Sequence, residues 1–258
     1  MVRPKKHLGQ HFLTDPGIAQ RVAESIPDTA ARLLEVGPGK GALTTHLLRL
    51  PSKEILVAEV DRESVDYLIA FNIIGQDRIL QGDFLKMELH PLFDGPFWIV
   101  GNFPYNISSQ ILFRAYENAG KVEGLVGMFQ KEVAQRIAAG PGSKTYGILS
   151  VLLQAHYRVE YLFTVHEGSF FPPPRVKSGV IRLSLDLSLD FPSDKALFTR
   201  IVKTAFNQRR KTLRNALKSM LPPGMELPQD LASQRAEQLS VADFHRLTLQ
   251  FSAAEHSS

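Results

Sequence analysis

Cysteine is absent from the 258-residue chain, so disulfides, thiolate-ligated zinc, iron–sulfur clusters and thiol nucleophiles are excluded. No apolar run approaches the roughly 20 residues that a bilayer-spanning helix needs. The N-terminus is basic, but Gly9-Gln10-His11-Phe12-Leu13-Thr14-Asp15 stands where a secretory signal would carry its apolar segment. A cytoplasmic protein with no membrane partner is expected. Acid is missing from two stretches. Residues 1–11 hold Arg3, Lys5 and Lys6, and residues 195–225 hold Lys195, Arg200, Lys203, Arg209, Arg210, Lys211, Arg214 and Lys218. Against a net charge of +4, these eleven cations leave the rest of the chain at −7. Basic ends flanking a mildly acidic body suit a polyanionic partner, although a solvated helix face explains a single basic helix equally well.

What is present alternates between strand and helix patterns. Leu33-Leu34-Glu35-Val36 reads as a buried strand, Gly37-Pro38-Gly39-Lys40-Gly41 as a turn, and residues 42–50 as a helix carrying Leu43, Leu47, Leu48 and Leu50. Further strands are expected over 55–60, 79–81, 97–101 and 122–129, with helices from Arg62, from Ser108 or Ser109 as cap, and through Glu132 and Arg136. Such alternation indicates a parallel sheet covered on both faces. Residues 157–165 and 180–187 instead alternate apolar with polar, as antiparallel strands closing a sheet do. After a linker-like break at 190–194 the spacing is helical, interrupted at Leu221-Pro222-Pro223-Gly224, with Val241, Phe244, Leu247 and Leu249 in a last helix. The reading is an α/β body over 1–187 and a small helical domain over 188–258.

Asn102-Phe103-Pro104-Tyr105 follows the expected fourth strand. Asn and Pro are ordinary turn residues. The same four residues also suit holding a planar amine. The Asn102 amide oxygen and the Phe103 carbonyl, the latter aimed by Pro104, can accept two N–H bonds, while Tyr105 offers a ring for a base. Upstream, the glycines of Gly37-Pro38-Gly39-Lys40-Gly41 allow a ligand to approach the backbone closely. This is no P-loop, because no Gly-Lys-Ser/Thr follows. Glu59 closes the second strand, 22 residues after Gly37, where an acid binds ribose hydroxyls. Asp83 follows the third strand and can accept from an adenine amine. Each acid alone reads as surface, but successive strand ends converge in an open α/β sheet. An adenosine-bearing methyl donor beside an amine-holding turn fits this order.

The chain resembles the KsgA-type ribosomal RNA adenine dimethyltransferases, which use S-adenosylmethionine. The resemblance rests on Gly9–Leu13, Glu35–Thr44, Glu59–Arg62, Gly82–Leu85, Asn102–Ser108, Gln130–Arg136, Phe170–Val176 and Ala205–Leu217, in that order over nearly the whole length. It implies a Rossmann-like class I methyltransferase sheet with a small C-terminal helical domain that binds RNA. It implies that residues 1–20 close over the methyl donor through His11 and Leu13, and that Gly37, Gly39, Glu59, Asp83 and Asn102 contact it. Phe170 becomes the second ring, sandwiching the target adenine against Tyr105. Arg175 is expected on a phosphate, as are Arg209, Arg210, Lys211 and Arg214. His11 stands where the family more often has Asn, Phe103 where Leu is common, and Lys177 where Asp is common. Nothing in the sequence explains Lys177.

The activity so implied is transfer of methyl groups to the N6 amines of two adjacent adenosines in a hairpin loop near the 3′ end of small-subunit rRNA, within the assembling 30S subunit. No metal is expected, since a sulfonium methyl needs no Lewis acid, and the chain is expected to act as a monomer. Two other readings stay open: a non-catalytic ribosome-assembly factor that retains the cofactor site, and a large-subunit adenine methyltransferase of the macrolide-resistance type.

Overall fold

The structure is a computed structural model that describes residues 2–51, 53–189 and 194–255. The linker-like break lies, at 190–193, outside the described residues. Among the described residues nine strands form in chain order: β1 (Phe12–Leu13), β2 (Arg32–Val36), β3 (Glu54–Glu59), β4 (Ile79–Gln81), β5 (Phe97–Asn102), β6 (Val122–Gln130), β7 (Tyr157–Val165), β8 (Phe170–Phe171) and β9 (Ser178–Leu185). Seven of them make one sheet in the order β4-β3-β2-β5-β6-β9-β7, and β1 pairs with β8 in a separate ribbon.

The pairs β3–β4, β2–β3, β2–β5 and β5–β6 are parallel, and β9 runs antiparallel to β6. This is the mixed α/β sheet the sequence pattern indicated. Leu33, Leu34, Glu35 and Val36 are all buried, as are Phe97 to Gly101, because a central parallel strand is covered on both faces. Asp15 and Asp61 start α1 (Pro16–Glu24) and α3 (Arg62–Ala70) by accepting from backbone N–H groups of the first turn. Between them, the helix expected over 42–50 contracts to α2 (Thr44–Leu47) flanked by turns. Neither serine caps α4 (Ser108–Glu117): Ile107 holds the cap position, and the Ser108 hydroxyl donates back to the Tyr105 carbonyl at 3.0 Å. The next helix is α5 (Lys131–Ala138).

Two compact units divide the chain, one of residues 1–135 and 159–185, the other of residues 136–158 and 186–258. Residues 136–158 thus group with the second unit and not with the α/β body to which the sequence reading assigned them. They hold α6 (Ile148–Gln154), whose Ile-Leu-Ser-Val-Leu-Leu-Gln run carried no helix expectation.

The second unit continues with α7 (Lys195–Asn207), α8 (Leu213–Ala216), α9 (Gln229–Ala232) and α10 (Val241–Glu255). Its core joins Phe198, Ile201, Val202 and Phe206 of α7 to Phe244, Leu247 and Phe251 of α10, with the Phe206 and Phe244 rings stacked at 5.9 Å. Leu249, counted with Val241, Phe244 and Leu247 toward this helix, lies off its buried face and is 49% exposed. Among the described residues no helix is long and apolar enough to cross a membrane.

Candidate active site

The sheet order reverses between β2 and β5, and the carboxyl ends of β2, β3, β4 and β5 open into one cleft of about 210 Å³. Gly37 follows β2, Glu59 closes β3, Asp83 lies two residues beyond β4, and Asn102 closes β5; all four line the cleft. Convergence at such a reversal is the general behaviour of open α/β sheets.

The loop after β2 depends on glycine for conformation and for space. Gly37, Gly39 and Gly41 have φ of 71°, 55° and 78°, which other residues rarely adopt. A Cβ at Gly39 would come within 2.8 Å of the Phe12 ring, whereas a Cβ at Gly37 would meet no atom within 4 Å, leaving that side open to the cleft. Glu59 braces this loop from beneath. Its Oε2 accepts from the Gly39 N–H at 3.1 Å and its Oε1 from the Asp61 N–H at 2.8 Å. Burial raises the Glu59 carboxyl above its ordinary value, against the lowering effect of these two amides. The carboxylate, which also accepts from the Val60 backbone, has four lone-pair positions and so keeps acceptor capacity for a ligand hydroxyl. Asp83 Oδ1 accepts from the Leu85 N–H at 3.0 Å and leaves Oδ2 for another donor. With Val60 half exposed at 52% and Leu85 on the cleft wall, the lining fits an adenosine: apolar side chains for the base, Asp83 for its amine, Glu59 for ribose.

The amine-holding end lies beside this. Asn102 Nδ2 donates to the His11 carbonyl at 2.7 Å. A carbonyl only accepts, so the amide is fixed with Oδ1 turned away as an acceptor. Phe103 lines the cleft by its backbone; its ring is 1% exposed, between Gly101 and Gly127 and 5.1 Å from the Phe129 ring. The Tyr105 hydroxyl lies 2.6 Å from Ser178 Oγ, and burial raises its pKa. His11 stands over Tyr105 with ring centroids 5.6 Å apart, and His11 Nδ1 donates to the Pro172 carbonyl at 2.7 Å. An acceptor pair beside a cleft whose lining suits an adenosine can hold an aromatic amine next to a methyl donor.

The profile of the ribosomal RNA adenine dimethylases matches residues 1–252. The chain belongs to this family.

Its relatives bear this out in detail. The chain is 55% identical over 258 residues to the ribosomal RNA small subunit methyltransferase A of Bacteroides thetaiotaomicron, covering 98% of this chain and 96% of that one. Against the protein of the same name from Cytophaga hutchinsonii it is 49% identical, with 96% of each covered. Among solved structures it superposes on a dimethyladenosine transferase from Plasmodium falciparum with a TM-score of 0.79 at 26% identity, covering 95% of this chain and 98% of that one. The 23S rRNA methyltransferase ErmE shares the fold, with a TM-score of 0.68 at 22% identity over 93% of this chain and 99% of that one.

Within this adenine dimethylase frame, two expected site residues lie elsewhere. Phe170 does not line the cleft: it is 4% exposed and packs in the core of the α/β unit, opposed across the ribbon to Leu13. Successive residues of a strand face opposite ways, so turning Phe170 inward turns Phe171 outward, where it is 60% exposed. The loop was found by its sequence, but the facing of its two rings was not. Leu13, 6% exposed, borders a smaller cavity of about 30 Å³ with Glu35, Gly37 and Asn102 rather than the main cleft.

The cations also differ from one another. Arg175, Arg210, Lys211 and Arg214 are exposed. Arg209 is committed: its guanidinium pairs with Glu237 and donates to the Lys144 carbonyl at 2.7 Å. Near the N-terminus, Lys5 is committed too, its ammonium 2.5 Å from Asp61 and 3.1 Å from Glu63. Gln10 takes the Lys5 N–H at 2.9 Å and so folds residues 5–10 over the end of β3.

Sequence reading missed Glu35 as well. It is buried, with Oε2 unpartnered, and burial pushes its carboxyl up to about 8, with Glu59 adding to the rise. An acid inside the apolar run Leu33-Leu34-Glu35-Val36 was the available signal. Among the described residues no group of three or more His, Cys, Asp or Glu is gathered as for a metal.

Proposed function

We propose that this chain transfers methyl groups from S-adenosylmethionine to the N6 amines of two adjacent adenosines in a hairpin loop near the 3′ end of small-subunit rRNA, giving dimethyladenosines, in the assembling subunit. The observation that carries this reading is the fixed Asn102 amide, its Nδ2 spent on the His11 carbonyl at 2.7 Å and its Oδ1 free beside a cleft whose lining suits an adenosine.

When bound, S-adenosylmethionine supplies an electrophilic methyl group, so the protein's contribution is positioning and electrostatics. Gly37, Gly39, Glu59 and Asp83 would hold the donor, and His11 in the N-terminal segment would close over it. Asn102 Oδ1 and the Phe103 carbonyl accept the amine's N–H bonds and draw its lone pair out of conjugation with the ring. Tyr105, anchored to Ser178, supports the base. As the amine's lone pair takes the methyl, that methyl's bond to sulfur breaks and its electron pair stays on sulfur as a neutral thioether; the amine becomes acidic as the new N–C bond forms, and its proton passes by way of these hydrogen bonds to solvent. For the second transfer, the remaining N–H occupies one acceptor.

An adenosine must leave its stack to reach this cleft, which costs a few kcal/mol unless it is unpaired, and a loop adenosine meets that condition. Arg175, Arg210, Lys211 and Arg214 take phosphates, and Arg209 braces the basic segment through Glu237. The protein acts in the cytoplasm as a monomer. The intact acceptor pair favours an enzyme over an assembly factor without activity. The small-subunit names of the nearly full-length relatives favour that rRNA over the large subunit.

The test is Asn102→Ala, with mass spectrometry of nucleosides from small-subunit rRNA. Loss of dimethyladenosine with S-adenosylmethionine binding intact supports the assignment; normal dimethylation by the variant overturns it.

A further inference from the structure

The aromatic ring exposed beside the cleft is one the acceptor chemistry above leaves unused. Phe12 and Phe171 are directly opposed in the β1–β8 ribbon, and Leu13 and Phe170 are the next pair. Leu13 and Phe170 are buried, so Phe12 and Phe171 share the opposite face. Phe12 lines the cleft, and the Lys40 ammonium lies 5.3 Å from its ring centroid. Phe171 continues this face outward with 60% of its surface exposed.

The support is stiff and tied to the acceptor end. Three prolines follow Phe171, and each fixes its own φ. The first of them has its carbonyl held by His11 Nδ1 at 2.7 Å, and the His11 ring stands against Tyr105. Arg175, exposed, ends the same proline run. A rigid, exposed ring paired across the ribbon with the cleft-lining Phe12, with Lys40 over that partner ring and Arg175 four residues along the chain, has the make-up of a stacking platform for single-stranded nucleic acid, where a base covers the ring and cations meet the neighbouring phosphates.

We propose that Phe171 is a second base subsite, which stacks the unpaired nucleobase flanking the target adenosine and so sets which loop nucleotide enters the cleft. The proposal rests on the RNA-methylation reading above. A protein surface is the other occupant an exposed ring could take, but the pairing with the cleft-lining Phe12 and the cations Lys40 and Arg175 favour a base.

The experiment uses the full chain and a naked RNA hairpin carrying two adjacent loop adenosines, with 2-aminopurine placed in turn at the 5′ and 3′ flanking positions. Binding to the unaltered protein is expected to quench one flanking 2-aminopurine by stacking. Phe171→Ala should restore that fluorescence and weaken hairpin affinity about ten-fold. Phe171→Tyr should keep both, and calorimetric affinity for S-adenosylmethionine should stay the same in each, which guards against misfolding. Unchanged affinity and quenching in Phe171→Ala overturn the proposal. So does a loss seen only on intact subunits and not on the naked hairpin, which would give Phe171 to a ribosomal protein. Asn102→Ala separates the two readings, since it should still quench the flanking 2-aminopurine while methyl transfer falls by about 10²–10³-fold or more. Failure of the unaltered protein to bind or methylate any small-subunit rRNA would remove the parent reading itself.

Discussion

Asn102 and His11 are joined side chain to backbone: the Asn102 amide nitrogen donates to the His11 carbonyl at 2.7 Å. The bond spans β5 and the N-terminal segment, and it settles which end of the amide is left to accept. Because it uses the His11 backbone, the identity of the side chain at position 11 does not enter it. The imidazole does something else, holding the Pro172 carbonyl.

That division of labour gives the first prediction. His11→Ala keeps the carbonyl that orients Asn102 and loses the tie to the proline loop. The expected outcome is a fall of less than about ten-fold in kcat with a clear rise in KM for RNA, because an interaction lost equally from ground and transition states moves KM. Steady-state kinetics on unmethylated small subunits measures both. A loss of kcat as large as that of Asn102→Ala, for which about 10²–10³-fold or more is expected from removing a preorganised hydrogen-bonding group, would give the imidazole a direct part in the chemistry.

The Glu35 carboxyl supplies a prediction about pH. Its value rises from 4.5 to about 8, chiefly through burial. A carboxyl raised in the folded state stabilises the fold fully below its unfolded value, and that stability is lost as pH climbs through the folded value. Stability of the ligand-free protein should therefore decline between about pH 4.5 and 8, with Glu35 contributing up to about 1.4 kcal/mol per pH unit. Glu35→Gln, which cannot ionise, should flatten this decline and become the more stable form at pH 8. Urea unfolding midpoints across that range test it, and parallel curves for the two proteins would defeat it.

The central glycines give a packing prediction. A Cβ at Gly127 would lie 2.1 Å from the Phe103 ring, inside any tolerable contact. Gly127→Ala should cost about 2–3 kcal/mol, the overpacking of a filled core. Phe103→Leu removes the ring but keeps the backbone carbonyl that the chemistry uses, so methyl transfer should survive in it. In the double variant the alanine penalty should shrink, a coupling that a double-mutant cycle on unfolding free energies reads directly.

These cases show what the sequence made legible. Strand ends were readable because buried parallel strands leave continuous apolar runs, and the residues that follow them must converge: Gly37, Glu59, Asp83 and Asn102 were all placed at the cleft this way. The ribbon of β1 and β8 was not, because two-residue strands carry no periodicity. Without the ribbon, Phe170 and Phe171 could not be assigned to faces, and the resemblance gave the second-ring role to Phe170, whose ring packs inward. Arg209 likewise looked like its neighbours in a run of cations, since its partner Glu237 lies 28 residues further along the chain. Short-range pattern identifies elements and loops; facing and pairing depend on contacts that only the fold creates.

The same contrast between Arg209 and its neighbours yields the last prediction. Each lysine or arginine that neutralises an RNA phosphate releases counterions, so removing one should reduce the salt dependence of binding. Arg210→Ala, Lys211→Ala and Arg214→Ala should each weaken hairpin affinity and lower the slope of log affinity against log salt by about one, with stability nearly unchanged. Arg209→Ala should behave differently. It leaves Glu237 without its cation and the Lys144 carbonyl without its donor, so thermal stability should fall while the salt slope changes least. Filter-binding titrations from low to moderate salt, paired with melting curves, separate the two behaviours. A full unit lost from the slope with an unaltered melting temperature in Arg209→Ala would return that residue to the RNA surface.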